Sequence, residues 1–190
     1  VYTIVDAGLN TDLSESSRYM LAQQAACAGK IVMSRTQCVS PEKEKETEEF
    51  LEKVLAEFQC SRSLEHDIYR KDWNKMNDSD FQELTKSGYR TEKCGKLWMN
   101  QREAYNSVYY MNLPIQETEL KDAAEKILKD KECGKVFRIK GFLKREDGSW
   151  MELNITHDQM SVEPIPKGQE VIIVIGEKLN QEKINQYLEK

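Results

Sequence analysis

Histidine and cysteine are the residue types that most often bind metals or act as nucleophiles, and this sequence uses them sparsely. Its two histidines, His66 and His157, lie far apart and form no i, i+4 pair of the kind that binds zinc on a helix. His66 stands between Glu65 and Asp67, a grouping that favours at most a low-affinity surface site. His157 is expected to be an ordinary residue at a strand end, so we assign no metal ligand.

The five cysteines are scattered at positions 27, 38, 60, 94 and 133, with no C-x-x-C pair. Their odd number and wide spacing argue against a disulfide framework and against a standard zinc knuckle. We expect reduced, mostly buried thiols. The sequence also has no G-x-S-x-G elbow, so it gives no support to an independent hydrolase.

One acidic residue stands at a chemically favourable place. Asp6 ends the apolar run Val1–Val5, and the carboxyl ends of strands in open α/β sheets are where ligands bind. The alternative is that Asp6 caps the turn that follows, because aspartate readily accepts hydrogen bonds from nearby backbone groups.

Basic side chains follow one predicted strand and its turn, at Arg138, Lys140, Lys144 and Arg145. Alternation along a strand places Arg138 and Lys140 on one face. This face is either a docking surface for an acidic partner or a solvated face whose charges pair with neighbours such as Glu152.

The overall charge excludes several classes of protein. The 190 residues carry 28 Lys and Arg against 33 Asp and Glu, a net charge of −5 and a pI near 5.3, which disfavours general binding to nucleic acid or to anionic membranes. No apolar run approaches the roughly 18 residues that a membrane span requires. We therefore expect a cytoplasmic protein. Because the sequence begins with Val inside a strand-like run, we also expect it to be part of a longer chain.

The first half reads as strand, helix, strand, helix. The apolar run Val1–Val5 is typical of a parallel strand buried on both faces, and a helix follows from about Ser16 to Ala28, with Gly29 ending it in left-handed geometry. The run from Lys30 to Met33 predicts a second strand. Ser40-Pro41 predicts the start of a long helix, because serine caps helices and proline suits their first position.

The second half has the order β-α-β-β-β-β-α. A helix between Glu119 and Asp130 carries apolar residues at i, i+3, i+4 and i+7, and the segment from Val171 to Ile175 is the strongest strand, which we expect to be central. Val162 to Ile165 is interrupted by proline and suits a sheet edge. The fold class is thus α/β and α+β, with the first domain at 1–90, the second at 96–190 and a boundary between Ser87 and Lys96.

Two stretches carry a resemblance to a known family. The strand ending in Asp6-Ala7 and the later run from Ala28 to Met33, which leads into Ser34-Arg35-Thr36-Gln37, resemble the back half of the P-loop GTPase domain of the CobW family. The segment from Gly134 to Leu143, followed by Trp150 and the strand that ends at Gly176, resembles the CobW C-terminal domain. The resemblance implies the remnant of a doubly wound parallel sheet followed by an intact C-terminal domain.

The resemblance implies a GTPase that acts as a metal chaperone or inserts metals into metallocentres, with roles in zinc handling, cobalamin synthesis and nitrile hydratase assembly. The sequence holds no G-x-x-x-x-G-K-[ST] phosphate loop and no C-x-C-C metal motif, both of which the family carries upstream. No cofactor is therefore expected in this chain. The resemblance assigns GTP, magnesium and zinc or cobalt to the longer parent, and gives the chain two partners, the upstream P-loop part and a metalloprotein client.

The resemblance also places the guanine-recognition motif Asn-Lys-x-Asp at the turn after the second strand, so the candidate nucleotide-binding residues are Ser34, Arg35 and Gln37. Gln37 stands where the family has the aspartate that accepts two hydrogen bonds from guanine. A neutral amide offers one acceptor and one donor group instead, so guanine preference should be weak or absent.

Two alternatives to the GTPase interpretation remain open. In the first, the chain is a non-catalytic interaction or scaffold module whose degenerate Ser34–Gln37 turn no longer binds nucleotide. In the second, the longer protein binds nucleotides with relaxed base choice, so that GTP and ATP have similar affinities.

Overall fold

We describe the protein from a computed structural model that covers residues 1–98 and 105–189. Residues 99–104 and Lys190, which fall in the predicted second domain, lie outside the described residues. The chain forms two compact units, Val1–Met99 and Asn100–Lys190. Among the described residues, no helix combines the length and apolarity needed to cross a membrane.

The first unit is built around a parallel sheet of three strands in the order β1-β2-β3. Its elements in chain order are β1 (Tyr2–Asp6), α1 (Glu15–Cys27), β2 (Lys30–Ser34), α2 (Pro41–Glu57), β3 (Ile68–Arg70) and α3 (Asp78–Thr85). Parallel strands need a long crossover, and α1 and α2 supply one each. The predicted strand, helix, strand, helix order of this half is confirmed.

Helix caps explain why these helices begin where they do. The Ser14 hydroxyl accepts a hydrogen bond from the Ser17 N–H at the start of α1, and Ser40 does the same for Lys43 at the start of α2, which has Pro41 at its first position. Asn77 caps α3 and forms a reciprocal capping box with Asp80.

Two predictions for the first unit are wrong. The strand β1 is not buried on both faces, because it is an edge strand, with Tyr2 44% and Ile4 62% exposed. Gly29 does not end α1 in left-handed geometry, since its φ is not positive and Ala28 caps the helix in extended geometry. Glycine is needed there for another reason, because a Cβ at this position would lie 1.9 Å from the Ser87 carbonyl oxygen.

The segment predicted to separate the domains belongs to the first unit. Tyr89 forms a β-bridge with Ala28, and the Gly95 N–H donates to the Phe58 carbonyl at 2.6 Å. These backbone contacts tie residues between Ser87 and Lys96 to α1 and α2, so this stretch is not a free linker. The functional assignment of the two units stays a prediction.

The second unit has the predicted β-α-β-β-β-β-α order around one antiparallel sheet, β4-β8-β5-β6-β7. Its elements are β4 (Tyr105–Met111), α4 (Glu117–Lys129), β5 (Lys135–Lys144), β6 (Trp150–Thr156), β7 (Met160–Ile165), β8 (Val171–Glu177) and α5 (Gln181–Leu188). As predicted, β8 is an inner strand and β7, with its proline, lies at an edge.

The helices α4 and α5 pack on one face of this sheet. The core of the second unit lies between the helices and the sheet. Gly141 in β5 allows α4 to approach closely, because a Cβ there would lie 2.5 Å from the Leu120 side chain. The largest fully buried side chains of this core come from both layers: Leu120, Ile127, Ile139, Met151, Leu153, Ile155 and Ile172. Two side-chain hydrogen bonds also hold α5 in place, from Tyr110 to Asn185 and from Tyr187 to Asp130, each 2.7 Å long.

Candidate functional site

The candidate nucleotide-binding turn lies at the carboxyl edge of the three-stranded sheet. Asp6 and Ser34 are register partners at the ends of β1 and β2, and the Ala7 N–H donates to the Ser34 carbonyl at 2.9 Å. The structure therefore brings Asp6 and the start of the Ser34–Gln37 turn to one place. This is the edge at which open α/β sheets bind ligands.

Asp6 uses both carboxylate oxygens within the protein. Oδ1 accepts a hydrogen bond from the Gly8 N–H at 2.9 Å, as the turn-capping interpretation predicts, and Oδ2 lies 3.0 Å from Arg35 Nη1. The side chains of this ion pair are 39% and 44% exposed, so the pair contributes about 0–1 kcal/mol. The main consequence of the pair is electrostatic, because the Asp6 carboxylate and the Arg35 guanidinium neutralise each other's charge at this edge of the sheet.

Arg35 adopts a left-handed backbone conformation with φ of 61°, which is uncommon for a residue with a side chain. A short 3₁₀ turn, Thr36–Cys38, follows it, and the Cys38 N–H donates to the Arg35 carbonyl at 2.9 Å. This geometry reverses the chain at the end of β2 and directs the guanidinium towards β1. The sequence analysis did not predict the Arg35–Asp6 pair.

The three candidate residues are thus placed differently. Ser34 is half-buried and its hydroxyl lies 3.3 Å from the Val5 carbonyl oxygen, Arg35 pairs with Asp6, and Gln37 is exposed on the turn. Of the three side chains, the Gln37 amide is the one presented to solvent without a described contact. An amide can offer one acceptor and one donor group to a nucleotide base.

The edge is held against α2 by a buried hydroxyl. Thr47 is fully buried, and its Oγ1 donates to the Ala7 carbonyl at 2.7 Å. Arg70 at the end of β3 pairs with Glu44 and Glu48 of the same helix. These contacts join α2 to the ends of β1 and β3.

A second polar cluster lies at the other end of the sheet and was missed by sequence reasoning. Arg62 is fully buried, and its guanidinium donates to the carbonyls of Ala25 and Ala28 at the end of α1. It also pairs with Asp67 at 3.1 Å, and Arg90 pairs with the same carboxylate at 2.6 Å. No local sequence signal reveals this cluster, since its members are joined only by the fold.

This cluster bears on the histidine grouping considered above. Both oxygens of Asp67 are taken by arginines, so Asp67 does not join Glu65 and His66 as an open ligand. In the described part of the chain, no group of three or more His, Cys, Asp or Glu side chains is placed to hold a metal ion. The other histidine, His157, has Nε2 2.8 Å from the Val136 carbonyl oxygen, a structural contact at the end of β6.

The cysteines are less buried than predicted. Cys133 is fully buried, whereas Cys27 and Cys38 are exposed and Cys60 and Cys94 are half-buried. The prediction of mostly buried thiols is therefore wrong, because three of these residues lie at helix ends and turns, where burial depends on long-range packing that the sequence does not show.

A third polar group sits beside β3. The Lys71 amine lies 2.5 Å from Asp80 in the first turn of α3, and this hydrogen bond, with the one from the Asn77 N–H, lowers the pKa of Asp80 to about 2. Burial raises the pKa of Tyr69 to about 12, and the nearby Asp80 carboxylate adds to the rise. These contacts fix α3 to the sheet, and we assign them a structural role.

In the second unit, the basic strand face has internal partners. Lys140 lies 2.6 Å from Glu152, and Arg138 Nε donates to the Asn154 side chain at 2.6 Å. The pairing with Glu152 is the one that the solvated-face interpretation expects. Lys140 also lies 5.4 Å from the centre of the Phe142 ring, a cation–π contact.

Comparisons with known proteins bear mainly on the second unit. The sequence model of the cobalamin synthesis protein cobW C-terminal domain matches residues 107–190. A search of curated proteins finds no match.

Solved structures give a weaker likeness. The Zn(II)-bound YjiA GTPase from E. coli is 18% identical, with a TM-score of 0.39, over 98% of this chain and 59% of that one. A Zn(II)-bound triple mutant of YjiA is also 18% identical, with a TM-score of 0.40, over 97% of this chain and 58% of that one. The chain thus spans less than two thirds of either protein.

Proposed function

We propose that this chain, whose residues 107–190 match the CobW C-terminal domain, is part of a CobW-like, GTP-binding metal chaperone or metallocentre-assembly protein. The family match carries the proposal. The first unit supports it, because a parallel sheet with crossover helices α1 and α2 is the architecture in which such proteins bind nucleotides. A cytoplasmic location remains a prediction from the sequence.

In this proposal the chain does not hold the nucleotide by itself. A triphosphate and its magnesium ion need a phosphate loop, and the sequence contains none. The chain would contribute the turn Ser34–Gln37, which would contact the nucleotide base. The P-loop part of the same protein would hold the phosphates and magnesium. Zinc or cobalt would be the cargo that a metalloprotein client receives.

The exposed edge of the first sheet is a suitable contact for that P-loop part. Among the described residues, no strand pairs with the outer side of β1, whose Tyr2 and Ile4 side chains are largely exposed. A groove of about 560 Å³ runs along this strand and reaches Gln23, Gln24 and Cys27 of α1. Native proteins usually cover an exposed apolar edge strand with another part of the structure. We therefore propose that the P-loop part covers β1.

The experiment that tests this function compares nucleotide affinities in the longer protein. We expect the longer protein to bind GTP with magnesium. We also expect it to bind GTP and ATP with similar affinities, because the neutral Gln37 amide cannot form the charge-assisted pair of hydrogen bonds that an aspartate forms with guanine. The variant Gln37→Asp should raise the preference for GTP by about tenfold or more, the size of one good bidentate contact.

A matched control is Gln82→Asp, which adds the same charge on the exposed surface of α3. It should leave both affinities unchanged. If the longer protein binds no nucleotide, the proposed function is wrong. If it binds GTP much more tightly than ATP with Gln37 in place, the role given to Gln37 is wrong.

One observation favours the alternative of a non-catalytic scaffold module. Asp6 and Arg35 neutralise each other at the carboxyl edge, so the two charged groups nearest the turn are already engaged. In a scaffold, GTP would not bind to the longer protein and Arg35→Ala would not alter any nucleotide affinity. The same titrations therefore separate the two functions.

A further inference from the structure

The second unit has an open edge that does not belong to the proposed nucleotide site. Strand β4 pairs with β8 along its whole length, from Tyr105 with Glu177 to Met111 with Val171, without a bulge. Among the described residues, no strand pairs with the other side of β4. The inference drawn from this edge is independent of the proposed function, because it concerns neither the nucleotide nor the metal cargo.

The hydrogen-bond pattern of β4 shows which backbone groups face outward. The N–H of Asn112, which follows the strand, donates to the Glu170 carbonyl just before β8 at 3.0 Å. Residues of an antiparallel pair alternate, so the even-numbered residues of β4 bond to β8 and the odd-numbered ones direct their N–H and C=O groups away from it. The Ser107 N–H accordingly faces outward, where it donates to Asn106 Oδ1 at 2.8 Å.

Tyr109 and Met111 offer both backbone and side chain to the open edge. Their N–H and C=O groups also face outward and have no partner in the part of the chain that the structure describes. Their side chains lie on the sheet face opposite α4 and α5, because Tyr110 between them points into the core and donates to Asn185. Tyr109 is 60% and Met111 49% exposed. An unpaired apolar strand of this kind is a template for a further strand.

Strand β4 lacks the residues that keep edge strands apart. Its sequence, Tyr-Asn-Ser-Val-Tyr-Tyr-Met, contains no charged residue and no proline. The opposite edge of the same sheet, β7, carries Glu163 and Pro164, which protect it against such pairing. Two copies of β4 can therefore meet without repulsion between charges on the strands.

The edge is also complementary to itself. A two-fold axis sets two identical edge strands antiparallel, which is the arrangement already present in this sheet. A pairing centred on Val108 overlaps the whole of β4 and sets Tyr105 beside Met111 of the second copy. The Tyr105 ring stacks on Phe137 with 5.1 Å between ring centroids, so it presents a fixed aromatic surface to that methionine.

We propose that two copies of this chain associate through β4, which joins their five-stranded sheets into one antiparallel sheet. The combined sheet of about ten strands lies within the usual size range of open sheets. One strand edge buries less than the roughly 800 Å² per partner of a standard interface. The dimer is therefore reversible, with a dissociation constant on the order of 100 μM.

Sedimentation equilibrium of the complete 190-residue chain, from about 1 μM to about 1 mM, tests the association. We expect a reversible equilibrium between monomer and dimer. Tyr109→Lys should raise the dissociation constant by about tenfold or more, because the two introduced lysines lie close together at the shared edge and repel each other. Since Tyr109 is exposed, this variant should keep the circular dichroism spectrum and melting temperature of the wild type.

Two matched controls place the same lysine on other edge strands. Met160→Lys lies on β7 and Ile4→Lys on β1, and both original side chains are exposed. Each of the three variants adds one positive charge to a chain of net charge −5, so the general repulsion between copies changes equally. Both controls should leave the dissociation constant near that of the wild type.

Three results of these sedimentation experiments would overturn the proposal. The first is a wild-type chain that stays monomeric throughout the concentration range. The second is a dimer that survives Tyr109→Lys. The third is a dimer that Met160→Lys or Ile4→Lys also abolishes.

Amide hydrogen exchange of the unmodified chain, followed residue by residue by NMR, does not depend on the folding of any variant. At about ten times the dissociation constant, about one fifth of the chains are monomeric, so the Tyr109 and Met111 amides should exchange about fivefold more slowly than in a dilute sample. The amides of β7 should exchange equally in both samples. Exchange at Tyr109 and Met111 that does not slow as the dimer forms would contradict the assignment of β4.

Discussion

The first unit buries polar groups in its interior, whereas the second unit is held mainly by apolar packing. Thr3, Ser17, Thr47, Arg62 and Asp67 are all buried in the first unit, and several of them bond to backbone carbonyls. Among the buried residues of the second unit, Glu177 is the one polar side chain in the described part of the chain. The comparison suggests that the first unit depends on a few specific contacts and the second on the summed area of its core.

The edge strands β1 and β7 differ in the same sense. The edge strand β1 exposes the apolar Tyr2 and Ile4, whereas the edge strand β7 carries Glu163 and Pro164, which discourage pairing with further strands. The other edge of the second sheet, β4, also exposes large apolar side chains, so apolar exposure alone does not single out β1. We assign the proposed contact with a P-loop part to β1 because it is an open edge of the parallel sheet.

The largest expected effect comes from the buried arginine. Arg62→Ala removes the donor that satisfies two carbonyls at the end of α1 and breaks the pair with Asp67. We expect the free energy of unfolding of the first unit to fall by roughly 3–5 kcal/mol, the cost of breaking a buried ion pair. Urea unfolding of the wild type and the variant measures this loss.

The matched control is Arg18→Ala. Arg18 lies on α1 and pairs with Glu57 at 2.8 Å, but its side chain is partly exposed, so the loss should be below about 1 kcal/mol. Equal effects of the two substitutions would mean that the buried cluster does not hold the first unit together.

A somewhat smaller effect is expected for the core of the second unit. Ile172→Ala in β8 removes a side chain that is 1% exposed, and should cost about 3 kcal/mol through lost burial and the cavity left behind. Trp150 is the one tryptophan in that unit, so its fluorescence in a background with Trp73→Phe and Trp98→Phe follows unfolding there.

The corresponding change at the exposed edge is Ile4→Ala, which should alter the stability of the 190-residue chain by less than about 0.5 kcal/mol. A large loss at Ile4 would show that β1 is already covered. The contrast between an open edge in the first unit and a closed core in the second would then fail.

The smallest effect concerns acid. The pKa of Asp80 is lowered from 3.8 to about 2, mainly by Lys71, so the folded state binds this proton less readily than the unfolded state. The stability that Asp80 supplies is therefore present above pH 3.8 and is lost as the pH falls towards 2. Asp80→Asn should remove this part of the acid dependence of thermal unfolding.

Asp78→Asn, in the same exposed first turn of α3, is the control and should keep the wild-type pH profile. If Asp80→Asn also keeps that profile, the contact between Lys71 and Asp80 does not contribute to the pH dependence of stability.

The sequence predicted elements whose signals are local. Ser40-Pro41 marked the start of α2, and the apolar run at Val171 to Ile175 and the proline in β7 gave an inner strand and an edge strand. Each of these signals lies within a few residues of the structure it determines, which explains why the β-α-β-β-β-β-α order is confirmed.

Features that depend on distant residues were not predicted. An apolar strand has the same pattern at an edge as in the middle of a sheet, so the exposed face of β1 was missed. Arg35 pairs with Asp6, and Arg62 with the end of α1, across long stretches of chain. Such contacts follow from the fold and leave no local trace.

The most direct test of the central claim is a GTP hydrolysis assay on the purified 190-residue chain with magnesium. The account predicts no hydrolysis above the buffer blank, because a triphosphate and its magnesium ion need a phosphate loop and the sequence contains none. Hydrolysis by this chain that Arg35→Ala or Gln37→Ala abolishes would contradict the account.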